Sequence, residues 1–225
     1  MKLAVLSDFD GTVTLNDTFE NVLARFAKGD WRAVDDQYVR GEITLEECVR
    51  RQGAMVPVSE SQILDYLERV TEFRPSFDKL IEYCNTNHYP LLIVSAGLDF
   101  VIKHFLGEKK WQEHVELYAA KAKCTRTGIE FVWRKPKSSK SMNFKDDVVR
   151  YYKLRADTVA YIGDGRWDLH ALRNADRRFV IRNSKLAELC KEQEIQATTI
   201  TDFQEVITSL QKETSERDSW QGEGG

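Results

Sequence analysis

The sequence predicts an α/β protein, a doubly wound and mostly parallel sheet with a small inserted helical cap. Three observations predict it. Short, unbroken apolar runs of strand length recur at Leu3 to Leu6, within Pro90 to Gly97, and at Thr158 to Gly163; such runs suit strands covered on both faces. Segments with helical periodicity lie between these runs, and that alternation implies parallel strands joined by crossover helices. The same apolar runs end in polar residues, which is where open α/β sheets bind ligands.

The first run leads directly into Ser7-Asp-Phe-Asp-Gly-Thr-Val-Thr14. If the extended backbone persists to Asp10, its period of two puts Asp8 and Asp10 on one side and Phe9 on the other. Gly11 can then turn the chain away and leave room for a ligand. Asn16 or Asp17 fits the N-cap of a helix through Phe19, Val22, Leu23 and Phe26. Ala33 to Tyr38, Leu45 to Gln52 and Ser61 to Val70 also read as helices, and Thr44-Leu-Glu-Glu47 has capping-box form. Residues 15–74 are therefore expected to form a cap above the carboxylates, with 1–14 and 75–212 as the core.

From Pro75 the alternation resumes with a helix over Phe77 to Asn87, the second apolar strand, and a helix over Phe100 to Leu106. Val115 to Trp133, broken at Gly128, reads as a strand followed by a hairpin. Then come a helix at Asp146 to Leu154, the strand ending at Gly163, and a helix at Leu169 to Ala175. Short strands at Arg178 to Ile181 and Ala197 to Ile200 flank a helix at Ser184 to Gln193. The polar end, 213–225, is expected to be a loose tail.

Composition narrows the function. The 225 residues carry a formal charge of −3, which is no footprint for nucleic acid or an anionic membrane. Cys48, Cys84, Cys124 and Cys190 are widely spaced and suggest neither a zinc site nor a disulfide framework. No apolar run approaches a membrane span and no signal-peptide pattern precedes the first strand, so a cytoplasmic protein is expected. Oligomeric state is not legible.

Each polar strand end has an ordinary alternative. Asp8-Phe-Asp-Gly11 could be a solvated turn or part of a calcium loop. Ser95-Ala-Gly97 could be a simple cap, and Asp168 in Gly163-Asp-Gly-Arg-Trp-Asp168 could cap the helix that follows. The lysines and arginine of Arg134 to Lys145 could be solvated surface charge. Together they suggest chemistry. Carboxylates at two strand ends, a hydroxyl at another and a lysine before the last would converge on one sheet edge. Carboxylate oxygens with a substrate phosphate suit Mg²⁺, and a cation, a lysine and a hydroxyl could neutralise phosphate charge. One carboxylate would remain for nucleophilic attack and one for proton transfer.

Asp8-Phe-Asp-Gly-Thr12, Ser95, Lys145 and Gly163-Asp-Gly-x-x-Asp168 resemble, in order, the four motifs of the haloacid dehalogenase superfamily. The cap after the first motif resembles that of its phosphoserine phosphatase branch. Within that branch, Ser7 to Thr14, Ile93 to Asp99 and Gly163 to Gly165 most resemble the methionine-salvage phosphatases that act on a methylthiopentenyl phosphate. The resemblance implies a Rossmann-like core and Mg²⁺-dependent hydrolysis of a small phosphorylated metabolite. It makes Asp8 the nucleophile and Asp10 the general acid and base. Mg²⁺ would be held by Asp8, the Asp10 backbone carbonyl and Asp164, with Asp168 fixing a bound water or the lysine. Ser95 and the Gly97 backbone would hold phosphate, Lys145 would pair with it and with Asp8, and Thr12 would orient Asp10. Lys137 and Lys140 are alternatives to Lys145. Arg166 and Trp167 could touch substrate or pack beneath the cap, and Asp17, Glu20 and Arg50 or Arg51 could reach the leaving group.

Phosphoserine phosphatase, another metabolite phosphatase and a mutase share these motifs. From a different class, a receiver-type signalling module also phosphorylates an Asp on a doubly wound sheet, but it has no need of a cap or of a second acid at Asp10.

Overall fold

The computed structural model describes residues 1–133 and 135–222, with only the backbone given for 213–222. In chain order, β1 (Leu3–Ser7) is followed by four helices: α1 (Thr18–Phe26), α2 (Trp31–Val39), α3 (Leu45–Gly53) and α4 (Glu60–Val70). Next come α5 (Phe77–Thr86), β2 (Leu91–Ser95), α6 (Asp99–Glu108), β3 (Glu116–Ala119), β4 (Lys121–Thr125) and β5 (Gly128–Val132). The remainder is α7 (Phe144–Lys153), β6 (Thr158–Gly163), α8 (Asp168–Asn174), β7 (Arg177–Ile181), α9 (Lys185–Glu192), β8 (Thr198–Ile200) and α10 (Phe203–Gly222). No described helix is long and apolar enough to cross a membrane.

Six strands form one sheet in the order β3-β2-β1-β6-β7-β8. All of its pairings are parallel. The unbroken apolar runs are explained by the two cores. Leu3 and Val5 of β1 face a cluster with Phe77 and Leu80 of α5, Val101 and Ile102 of α6, and Phe203 and Val206 of α10. Ala4 and Leu6 face the opposite cluster, with Val148 and Val149 of α7, Leu172 of α8 and Leu186 of α9. Burying each large side chain in these layers contributes about 1.5–3 kcal/mol.

The chain leaves β1 toward β2 and β3 on one side, then crosses to β6, β7 and β8 on the other. The ends of β2, β1 and β6 therefore lie side by side where the winding reverses, the switch point at which such sheets bind ligands.

The helices after β1 have local stops and starts. Asp17, Asp30, Thr44 and Ser59 each cap the following helix by accepting a backbone N–H. The reciprocal capping box forms at Ser59 with Gln62. At Thr44 only half of the expected box forms, because the Glu47 carboxylate is drawn to Arg50 and Arg51. The hairpin β4–β5 forms its own two-stranded sheet and packs on α1 and α3. Phe131 meets Phe19 edge to face at 5.7 Å, and a Cβ on Gly53 would lie 2.6 Å from the Phe131 ring.

Two expectations shift. Lys145 does not precede its helix but lies in its first turn, because Asn143 is the cap and accepts the Asp146 N–H. The segment from Glu213, expected to be loose, continues α10 as far as Gly222, while 223–225 lie outside the described residues. The helix opens with Phe203, Val206, Ile207 and Leu210 buried at helical spacing.

Candidate active site

Strand pairing ends at Ser7, and the last rung is the Asp8 N–H donating to the Ile162 carbonyl at 2.9 Å. The chain then turns about Phe9, whose carbonyl accepts the N–H groups of Thr12, Val13 and Thr14. Asp8 and Asp10 do reach one cleft, but through this turn rather than through continued strand alternation. Gly11 makes the turn possible at φ +73°, and a Cβ there would lie 2.3 Å from Asp164 Oδ2. The close approach of the two motifs thus depends on a residue without a side chain.

A buried ion triad lies beneath the cleft. Lys145, 1% exposed, places its Nζ 2.9 Å from Asp8 Oδ1 and 2.7 Å from Asp168 Oδ1. Burial works against the ammonium charge, but Asp168 and Asp8 outweigh it and hold Lys145 above its ordinary range. Lys137 and Lys140 lie on the exposed surface; the lysine that meets the carboxylates is Lys145.

Asp168 is fully engaged. Its Oδ1 accepts from Lys145 and from the Tyr161 hydroxyl at 2.7 Å each, and its Oδ2 accepts the N–H groups of Gly165 and Asp164 at 2.9 and 3.2 Å. With both oxygens engaged, Asp168 acts as the anchor of the Lys145 ammonium and of the Gly163-to-Asp168 turn. Gly163 lies against it, since a Cβ there would be 2.7 Å from its carboxyl carbon.

Asp10 is held from another direction. Its Oδ1 accepts the Thr18 N–H at 3.0 Å and the Thr18 hydroxyl at 2.5 Å, and its Oδ2 accepts the Ser95 hydroxyl at 3.3 Å. Burial raises its pKa, while the Thr18 bonds oppose the rise; an elevated carboxyl suits a group that must donate a proton near neutrality.

This corrects the expectation for Thr12. Its hydroxyl donates to Asp164 Oδ1 at 2.9 Å, its side chain is fully buried, and it does not line the cleft. The residue that orients Asp10 is Thr18, whose role depends on the turn and has no signal in the linear sequence. Ser95 Oγ also accepts the Gly97 N–H at 3.0 Å, and a Cβ on Gly97 would lie 2.1 Å from Asp10 Oδ2. Thr18→Val is expected to reduce kcat by about tenfold with little change in KM, measured by steady-state kinetics. An unchanged kcat would mean that Asp10 needs no such restraint.

The carboxylates form a candidate cation seat. One oxygen each from Asp8, Asp164 and Asp168 lies within 4.8 Å of the others. Since Asp168 is engaged, Asp8 and Asp164 are the residues with acceptor capacity to offer. Burial, with Asp168 adding repulsion, raises Asp8 well above the carboxylate range and pushes Asp164 up to about 7. Oxygen donors crowded together with too little positive charge fit Mg²⁺. No backbone N–H donates to the Asp10 carbonyl among the described residues, so it too has capacity for a cation.

Above these groups lies a cleft of about 350 Å³, roofed by α1, α2 and α3. Phe19, Leu23, Trp31, Leu45 and Val49 make its roof largely apolar, with Asp17, Glu20 and Asp35 among its acids. Arg166 and Trp167 line the cleft, and Trp167 also stacks on Tyr38 of α2 with ring centres 6.3 Å apart. Arg50 and Arg51 do not reach it, because both pair with Glu47 on the exposed face of α3.

A strand-end carboxylate gripped by a buried lysine, with a second acid opposite and a helical roof, is a site organised for attack on an electrophile carrying negative charge. The family model of haloacid dehalogenase-like hydrolases matches residues 5–173, and the chain belongs to that family. It is 29% identical over 216 residues to the 2-hydroxy-3-keto-5-methylthiopentenyl-1-phosphate phosphatase of Brevibacillus brevis, covering 94% of this chain and 96% of the relative. It is also 29% identical to the bifunctional enzyme MtnB/MtnX of Bacillus licheniformis, covering 99% of this chain but 52% of that protein; the chain spans about half the length of this relative. Among solved structures, a phospho-aspartyl intermediate analogue of phosphoserine phosphatase shares the fold at TM-score 0.69 and 17% identity, covering 92% of this chain and 98% of the other.

Proposed function

We propose that this chain is a cytoplasmic, Mg²⁺-dependent phosphatase of a small phosphomonoester and works through an aspartyl phosphate on Asp8. The observation that carries this reading is the buried Lys145 bridging Asp8 and Asp168 directly below the cleft that Asp10 enters. Asp8 Oδ attacks phosphorus, and the ester P–O bond breaks as the P–O bond to Asp8 forms. Asp10 gives its proton to the departing alkoxide. It then takes a proton from the water that attacks the phosphoaspartate, which releases inorganic phosphate and regenerates both acids. Lys145 orients Asp8 and opposes the burial that favours its protonated form. The Ser95 hydroxyl and the Gly97 N–H, which here bond Asp10 and Ser95 Oγ, would turn to the transferring group. Asp8, Asp164 and the Asp10 carbonyl would hold Mg²⁺, which would supply positive charge to the phosphoryl oxygens.

For the substrate, we propose the methylthiopentenyl phosphate of methionine salvage. The apolar roof supports this choice, as do the names of the relatives matched along nearly the whole chain. The test is phosphate release from 2-hydroxy-3-keto-5-methylthiopentenyl-1-phosphate, phosphoserine and simple alkyl phosphates, each with and without Mg²⁺. A kcat/KM preference of about 100-fold for the methylthio ester is expected. Preference for phosphoserine would overturn the substrate assignment, and no release from any ester with Mg²⁺ present would overturn the phosphatase reading.

The metal also makes a stability prediction. The folded chain holds the Asp164 proton more tightly than the unfolded chain does, so unfolding releases a proton between the ordinary aspartate pKa and about 7. Without metal, stability should therefore fall as pH rises through that window. Mg²⁺ should reduce the fall, since it favours the ionised carboxylates. Thermal melts at pH 5 and 8, with and without Mg²⁺, check this; identical pH slopes would remove the cation from these carboxylates.

A further inference from the structure

We propose that Gln52 is a specificity-determining residue, a fixed hydrogen-bond acceptor for a hydroxyl on the substrate's leaving group. Gln52 lies in the last turn of α3, is 5% exposed, and lines the cleft beside Trp31 and Val49. Its Nε2 donates to the Trp31 backbone carbonyl at 3.3 Å. A carbonyl can only accept, so this bond fixes which end of the amide is the NH₂ and assigns the other end as the acceptor. Oε1 takes no donor among the described residues.

Gln52 is a buried residue on the cleft wall whose amide oxygen has no donor among the described residues, so a ligand or water entering the cleft is the partner left to it. The surroundings narrow the ligand. Phe19, Leu23 and Val49 favour an uncharged, mostly apolar body. Of the charged residues that line the cleft beyond the carboxylate–lysine site, the cap side brings acids, Asp17, Glu20 and Asp35, and the core side brings Arg166 and Lys185. On the cap side, where Gln52 lies, the acids disfavour a leaving group bearing a carboxylate. What fits Oε1 is a neutral donor, and on a phosphate ester of an apolar alcohol that donor is a second hydroxyl. The inference rests on the cleft holding the leaving group of a phosphomonoester, and it adds the residue that reads that group.

The test compares pentyl phosphate with its monohydroxylated isomers, which differ from it by one oxygen. Binding is measured by calorimetry in the Asp8→Asn background, so no turnover is needed. At least one hydroxylated isomer should bind about tenfold tighter than pentyl phosphate. Gln52→Leu, close in volume and apolar, should bring that ratio to about one. A purely structural role of Gln52 beneath Trp31 would move both affinities together and keep the ratio. Equal binding of all isomers to the Asp8→Asn protein, a ratio that survives Gln52→Leu, or no binding of any ester would each overturn the inference. Absence of hydrolysis by the wild type, with the binding ratio as expected, would overturn the phosphatase reading and leave the assignment of Gln52 standing.

Discussion

Asp8→Asn is expected to lower turnover by about 10⁴-fold or more while leaving the fold intact. The amide matches the carboxylate in shape but has no charge with which to attack. The site tolerates neutrality, because burial and the neighbouring Asp168 already raise the Asp8 pKa well above its ordinary value. The backbone bond from Phe9 N–H to Oδ1, 2.8 Å in the wild type, can be kept by the amide oxygen. Lys145 retains Asp168 as a partner. The variant should therefore melt within a few degrees of wild type and fail in single-turnover phosphate release. Residual activity within tenfold of wild type would remove Asp8 from the nucleophile role.

Lys145→Met should produce the largest loss of stability. Met has similar reach and volume but carries no charge, so two buried carboxylates would lose their shared cation. Breaking a buried ion pair from one side costs about 3–5 kcal/mol, and here both carboxylates lose their cation while keeping their other donors. Denaturant unfolding should show that loss, together with loss of activity. The sign with pH follows from what remains. Protonating Asp8, whose pKa burial already raises, discharges the repulsion, so the gap between variant and wild type should narrow as pH falls. Adding Asp168→Asn to Lys145→Met should recover part of the stability and none of the activity. A double variant less stable than the single one would mean that Asp168 is held mainly by Tyr161 and the backbone N–H groups rather than by the lysine.

The legibility of this chain follows the range of the interactions. β1, β2 and β6 are apparent because burial on both faces leaves an unbroken apolar signature at Leu3 to Leu6, Leu91 to Val94 and Val159 to Ile162. The carboxylates and Lys145 are apparent because they occupy the ends or flanks of those elements. Residues that hold them are not. Thr18 reaches Asp10 only after the turn at Gly11, and Tyr161 is an ordinary apolar strand residue until its hydroxyl meets Asp168. Thr12, one residue from Gly11, goes to Asp164 across 152 positions of sequence, a partner that no local pattern specifies. The start of α10 is a different case, since Phe203, Val206, Ile207 and Leu210 carry a legible helical period close to a polar end that draws attention away from it.

The two ends of the four-helix excursion after β1 meet. Thr14 bridges Phe73, the Leu15 N–H donates to the Glu72 carbonyl at 2.8 Å, and the Arg74 N–H returns to the Val13 carbonyl at 2.8 Å. Arg74 continues the clasp, its guanidinium donating to the carbonyls of Gly11 and Thr12 at 2.8 Å each. To the rest of the chain, some sixty residues of helices and their links behave as a tight turn, because closure entropy grows only slowly with loop length and the ends are fastened to each other. Such a segment can be lengthened, shortened or exchanged beyond its first helical turn without moving Asp8, provided Thr18 stays to hold Asp10. Its substitution is constrained elsewhere, at Gly53 and Gly128, where the excursion and the β4–β5 hairpin touch so closely that no side chain fits. A graft that carried both partners of that contact and kept Thr18 against Asp10 would transfer a new roof, and with it a new choice of substrate, onto an unchanged reaction.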